Sequence, residues 1–292
     1  VSIDGKATDL LRRPTQNLVA GHVDGIATVW RVMGAQGAEV IWSSGELGTN
    51  GKLVAADDDT VRIVALAPGG FAFAPVDGSA EPIFVPAPAE SPRLVGAVAG
   101  QNGELWVAME VAAWEPSQVL RVAADGTVLA THPMGDLDSM VGILRHGSRT
   151  LVYGDANDGE AWEKCIPDDG PTAQARAFLG IRVSGAWIEG SQAMLGFDIG
   201  GASCATEMDC DPNDDDGMEE LVMPMPMQKT GQWTYGSNNA DLLMSFEHDW
   251  MVEMYAFDLQ GADLVGVEGD DSGLAIAVLN DGSGIRVVEL SQ

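Results

Sequence analysis

With 292 residues the chain is long enough to bury a full core, as one large all-β domain or as two ordinary ones. Its 44 acidic residues against 15 basic ones leave a formal charge of -29, which argues against nucleic acid or an anionic membrane surface as partner and favours cations or a basic protein surface. A solubility-driven or salt-adapted surface accounts for the same acidity, and no window approaches the roughly 18 to 20 consecutive apolar residues that span a bilayer.

The chain starts at Val1, which reads as a mature secreted protein without its signal peptide or as an arbitrary boundary. Around residues 8–13 a short helix or an irregular arm is expected, and residues 1–14 could serve as an arm that joins copies of the chain. From there one pattern recurs: a short β-rich run, a Gly or Asp turn, another run. Residues 25–32 and 38–42 carry β-branched and aromatic side chains without a helical stripe, so they read as strands. Asp77-Gly78, Asn102-Gly103, Asp125-Gly126 and Asp281-Gly282 each lie between apolar runs and can supply the positive φ of a hairpin.

Runs of small and apolar residues begin near Leu18, Leu53, Leu94, Met140, Ile181, Leu242 and Leu274. Their spacing is mostly about 35 to 45 residues, the length of one four-stranded propeller blade. The fold expected is therefore an all-β, single-domain β-propeller over residues 1–292, with seven blades or, as the next count, six. A pair of β-sandwiches fits the strand count but not the period. The unit is clearest in strands at residues 94–99, 104–111, 118–122 and 127–131. The last repeat offers only residues 274–279 and 285–290, so residues 1–3 are expected to complete its sheet and close the ring.

The tryptophans Trp30, Trp42, Trp106, Trp114, Trp162, Trp187, Trp233 and Trp250 are spread over the repeats, as packing between neighbouring blades requires; an aromatic platform for sugars is the other reading. The histidines His22, His132, His146 and His248 have no paired spacing, and no nucleophile elbow, Walker loop or dinucleotide fingerprint occurs. Glu247-His248-Asp249 is the most suggestive trio, since a carboxylate beside an imidazole can orient it for base work, although a solvated loop would contain the same residues.

One stretch names a ligand. Between Cys204 and Val222 two cysteines precede the run Asp211-Pro-Asn213-Asp214-Asp215-Asp216-Gly217-Met-Glu219-Glu220. A Cys204–Cys210 disulfide closing a small loop is expected in an oxidising compartment, with Cys165 left over; the spacing and the lack of a nearby His speak against zinc. The run resembles the calcium loop of FG-GAP and VCBS-type propeller repeats. The resemblance covers about a dozen residues and implies Ca2+ held by Asp211, Asn213, Asp216 and Glu220; one extra residue makes Asp215 a rival to Asp216. Hard oxygen donors on a tight loop suit Ca2+ independently of the resemblance, and a disordered acidic surface loop is the bland alternative. The loop looks like an insertion at about residues 199–220 within the fifth blade. Beyond it, Met223, Met225 and Met227 offer three thioethers on alternate positions, a copper-ligand pattern that equally suits an edge strand interleaved with Pro224 and Pro226.

These features describe a secreted, calcium-stabilised β-propeller acting as a binding or structural interaction module rather than an enzyme. The alternatives are a metal-dependent hydrolase or lactonase with its site at the central channel, or a subunit of an extracellular assembly.

Overall fold

The structure is a computed structural model and describes residues 1–56, 60–86, 92–110, 117–135, 139–155, 161–170, 172, 176–178, 183–189, 192–197, 202–207, 220–222, 228–230, 233–237, 241–248, 251–269 and 273–291. Among the described residues the strands form seven four-stranded antiparallel sheets. Sheet 1 runs Lys6–Arg13, Gln16–Val23, Ile26–Val32 and Ala38–Ser44. Sheet 2 is Lys52–Ala55, Val61–Ala67, Gly70–Pro75 and Ile83–Pro86. Sheet 3 comprises Arg93–Ala99, Leu105–Glu110, Gln118–Val122 and Val128–Pro133. Sheet 4 holds Ser139–His146, Arg149–Asp155, Ala161–Pro167 and Arg176–Phe178. Sheet 5 follows with Val183–Glu189, Gln192–Phe197, Ala202–Glu207 and Glu220–Val222. Sheet 6 is Gln228–Thr230, Trp233–Ser237, Asp241–His248 and Met251–Asp258. Sheet 7 joins Asp263–Gly269, Leu274–Asp281 and Gly284–Ser291 to the N-terminal Ser2–Ile3.

The chain divides into two compact units. Unit 1, Val1–Pro86 with Lys229–Gln292, contains sheets 1, 2, 6 and 7; unit 2, Ala87–Gln228, contains sheets 3, 4 and 5. Within each unit the core lies between sheets. Leu18, Ala20 and Val29 of sheet 1 meet Leu53, Ile63 and Ala72 of sheet 2, whereas Val19 and Trp30 pack with Ile276, Val278 and Val287 of sheet 7. Neighbours in sequence thus face opposite layers, because strand side chains alternate. A sheet buried on both faces reads as a continuous apolar run, which is why these segments are so uniformly small and aliphatic.

The first strands share a finer device. Pairing slips by one residue between Leu94 and Gly96, Met140 and Gly142, Val183 and Gly185, and Leu264 and Gly266, so four sheets carry a bulge that ends on glycine. Sheet 1 has the same slip between Ala7 and Asp9, with an aspartate in the glycine's place. Bulges sharpen twist and re-aim side chains.

The expected blade at residues 94–131 matches sheet 3 to within two residues at each boundary. The repeat starts do not mark equivalent strands: Leu94 and Met140 lie on first strands, Leu18 and Leu274 on second strands, and Leu242 on a third. First and second strands are both enclosed, and both attract the same residues. The helix or arm expected at the start is instead the strand Lys6–Arg13, paired along its length with Gln16–Val23. Ser2 and Ile3 pair with Arg286 and Ile285, so the N-terminal residues belong to sheets of this chain and not to a free arm. Trp30, Trp106, Trp162 and Trp233 are almost fully buried, the packing role expected of them. Asx turns hold the hairpins at Asp77, Asp125 and Asp281, whose carboxylates accept from the amides of Ser79, Thr127 and Ser283.

Cys165 on the third strand of sheet 4 is disulfide-bonded. The expected Cys204–Cys210 link involves Cys210, which lies outside the described residues.

Candidate functional site

Unit 1 gathers ionisable groups on its first strands. Asp9 of sheet 1 accepts the Leu53 amide of sheet 2 at 2.7 Å. Lys52, one residue earlier on that strand, donates its ammonium to the Thr8 carbonyl at 3.2 Å, and the Thr8 hydroxyl donates to the Gly51 carbonyl at 2.8 Å. Toward sheet 7, the Asn280 side chain clasps Ala7 like a second backbone: its oxygen accepts the Ala7 amide at 2.7 Å and its nitrogen donates to the Ala7 carbonyl at 2.8 Å. Arg12 donates to the Leu274 carbonyl. Side chains therefore supply the polar links between sheets whose backbones do not pair with one another.

Glu268 completes the set. It sits two residues beyond the Gly266 bulge and accepts the Thr230 hydroxyl of sheet 6 at 3.2 Å. Burial drives its carboxyl up to about 7; the Thr230 hydrogen bond opposes this, the nearby Asp9 carboxylate adds to it and Arg12 opposes it. Asp9 is also raised from its ordinary value, chiefly by burial and against the attraction of Lys52 and the amides of Leu53 and Leu10. Two acids and two bases thus meet on adjacent first strands, and one acid holds a proton for about half the time near neutral pH. Such a pair can give and take a proton, which is the chemistry a general acid needs.

A second cluster lies in unit 2. His132 stacks on Trp106 with ring centroids 5.4 Å apart, and the guanidinium carbons of Arg121 and Arg145 lie 5.6 and 5.3 Å from the Trp106 ring centre. Each arginine is neutralised: Arg121 by Glu104 at 2.7 and 3.2 Å, Arg145 by Asp168 at 2.8 and 2.7 Å. Burial, then Arg121 and Lys164, push the His132 imidazole below its ordinary value. With both guanidiniums paired and the tryptophan enclosed, this cluster braces sheets 3 and 4.

The residues singled out from sequence fall mostly elsewhere. Asp211, Asn213, Asp215, Asp216, Cys210, Met223, Met225, Met227 and Asp249 lie outside the described residues. Glu220 opens the fourth strand of sheet 5, with its backbone opposite Cys204 on the third. Glu247 and His248 end the third strand of sheet 6. Among the described residues no group of three metal-ligating side chains converges. The sequence signal for Asp9 and Glu268 is weak: each is an acid beside aliphatic residues, in Lys6-Ala-Thr-Asp-Leu-Leu and Leu264-Val-Gly-Val-Glu, where β-propensity disfavours it.

No family model matches the chain, and no curated protein matches it. Solved structures do. Virginiamycin B lyase from Staphylococcus aureus superposes with a TM-score of 0.70 at 12% identity, covering 100% of this chain and 98% of the lyase. The WD40 β-propeller domain of Doa1 gives 0.64 at 10% identity, over 97% and 93% of the two chains. YCF48 bound to a D1 peptide gives 0.62 at 14% identity, over 100% and 96%. The chain has the β-propeller fold.

Proposed function

We propose that the chain is a binding or interaction module on a seven-bladed propeller closed by the pairing of Ser2–Ile3 with Gly284–Ser291. The supporting observation is the apolar character of the outer edges. On the fourth strands of sheets 1, 2 and 3, Val40 is 58% exposed, Phe84 50% and Leu129 49%. A solvated edge strand is ordinarily protected by charge, so apolar side chains beside unpaired backbone favour a docked chain. Among proteins of like fold, YCF48 was solved with a D1 peptide and BBS1N with ARL6DN. In the same proposal the protein is secreted, takes Ca2+ on Asp211, Asn213, Asp215 or Asp216, and Glu220, and presents its acidic surface to a basic partner or a further copy.

The test compares proteins retained from the source's extract by the wild type and by a Val40→Lys, Phe84→Lys variant of unit 1 that keeps the wild-type melting temperature. A partner retained in stoichiometric amount by the wild type and lost by the variant supports the surface. Equal retention by both, or retention by neither, overturns it.

The Asp9 and Glu268 pair favours a second reading, a hydrolase or lactonase acting at the first strands of unit 1. Folds like this one serve a lyase and a puromycin hydrolase, though a fold by itself does not choose an activity. Turnover of a lactone and ester panel that disappears in Glu268→Gln would establish it.

A further inference from the structure

Glu268 stands at a joint between two first strands that a single proton can rearrange. Thr230 Oγ accepts the Gly269 amide at 2.9 Å and lies 3.2 Å from Glu268 Oε2 and 3.4 Å from the Gly269 carbonyl. A hydroxyl has one proton to donate. When Glu268 is ionised, its carboxylate is the stronger acceptor and takes that proton. When Glu268 is protonated it becomes a donor itself, and the hydroxyl is released toward the Gly269 carbonyl, closing a reciprocal pair of bonds between Thr230 and Gly269.

The groups facing Glu268 weight this choice. Thr230 comes from sheet 6 and Asp9 and Arg12 from sheet 1, while Lys52 of sheet 2 acts on Asp9. Arg12 and Asp9 are already committed to the Leu274 carbonyl and the Leu53 amide. Asp9 occupies the bulge position that is Gly96, Gly142, Gly185 or Gly266 in four of the other sheets, and a glycine there would exert no such repulsion on Glu268.

We propose that Glu268 is a proton-operated latch between the first strands of sheets 6 and 7, closed when its carboxyl is protonated and loosened when it ionises beside Asp9. The direction follows from the raised carboxyl. Its ordinary value is 4.5 and its value in the fold about 7, so the stabilisation is complete below the ordinary value and is lost as pH rises through about 7.

Amide hydrogen exchange at Gly269, corrected for intrinsic chemistry, tests the latch in the wild type and in Glu268→Gln, where a neutral amide replaces the protonated acid. Between pH 5.5 and 8 the wild type should lose protection by roughly thirtyfold, the part of a shift from 4.5 to about 7 that falls inside this window, and the variant should not change. Equal pH dependence in both proteins, or a flat wild type, overturns the proposal. Should the variant fail to fold, a carboxyl carbon titration of the wild type decides alone: a Glu268 midpoint near 7 supports the latch, and one below 5.5 overturns it.

Discussion

Arg145 and Asp168 face each other through two parallel hydrogen bonds of 2.8 and 2.7 Å, with side chains only 7% and 9% exposed. Arg145 reaches the Thr150 hydroxyl at 2.9 Å as well, and the Asp168 carbonyl accepts from Arg121 at 3.0 Å. Removing one partner strands a buried charge. Arg145→Ala should therefore lose about 3 to 5 kcal/mol in urea unfolding, whereas Arg145→Met combined with Asp168→Leu should lose less than either single change.

The bulge glycines are not equivalent. A Cβ on Gly142 would lie 2.2 Å from the Tyr153 hydroxyl oxygen, while one on Gly266 would meet nothing closer than Leu10 at 3.8 Å. Gly142→Ala should lower stability by about 1 to 3 kcal/mol through overpacking. Gly266→Ala should stay within about half a kcal/mol of wild type in the same melts.

Tyr153 itself should resist alkali. Burial pushes its phenol up to about 12, against a hydrogen bond from the Ala186 backbone. The ordinary value is 10, so its contribution to stability is complete below that and is lost as pH rises through about 12. In an ultraviolet titration Tyr153 should ionise only near pH 12 or on unfolding.

The acidic run from Asp211 to Glu220 is proposed to bind Ca2+. Excess chelator should lower the melting temperature, and added Ca2+ should restore it, since a ligand that binds only the folded state stabilises it. An unchanged melt would remove the site. Asp211→Asn with Asn213→Ala should melt like the chelated wild type.

Peptide mapping without reduction should find Cys165 in a cross-linked peptide, and its recovery as a free thiol would contradict the bond.

Much of the architecture is legible because burial on both faces forces a composition. Leu94-Val-Gly96 and Met140-Val-Gly142 are visible as repeats since each inner strand needs a small residue where its bulge approaches a neighbour. The strand at Lys6–Arg13 was obscured for the opposite reason: its Asp9 interrupts the apolar pattern, and the Leu53 amide that answers it lies 44 residues away. The residues chosen as a metal site stood out by local density of charge. Glu268 did not, as its environment is assembled from Thr230, Asp9 and Arg12, none of them its neighbour in the chain.

By itself the sequence determined an all-β chain of blade-length repeats with an acidic surface, because strand alternation, turn residues and net charge are local or additive properties. Only the packing of the sheets makes the opening segment a strand, puts Asp9 in the place of a bulge glycine and raises the Glu268 carboxyl through burial. Those depend on desolvation and on charges brought together from different sheets, and neither is encoded in the spacing of residues along the chain.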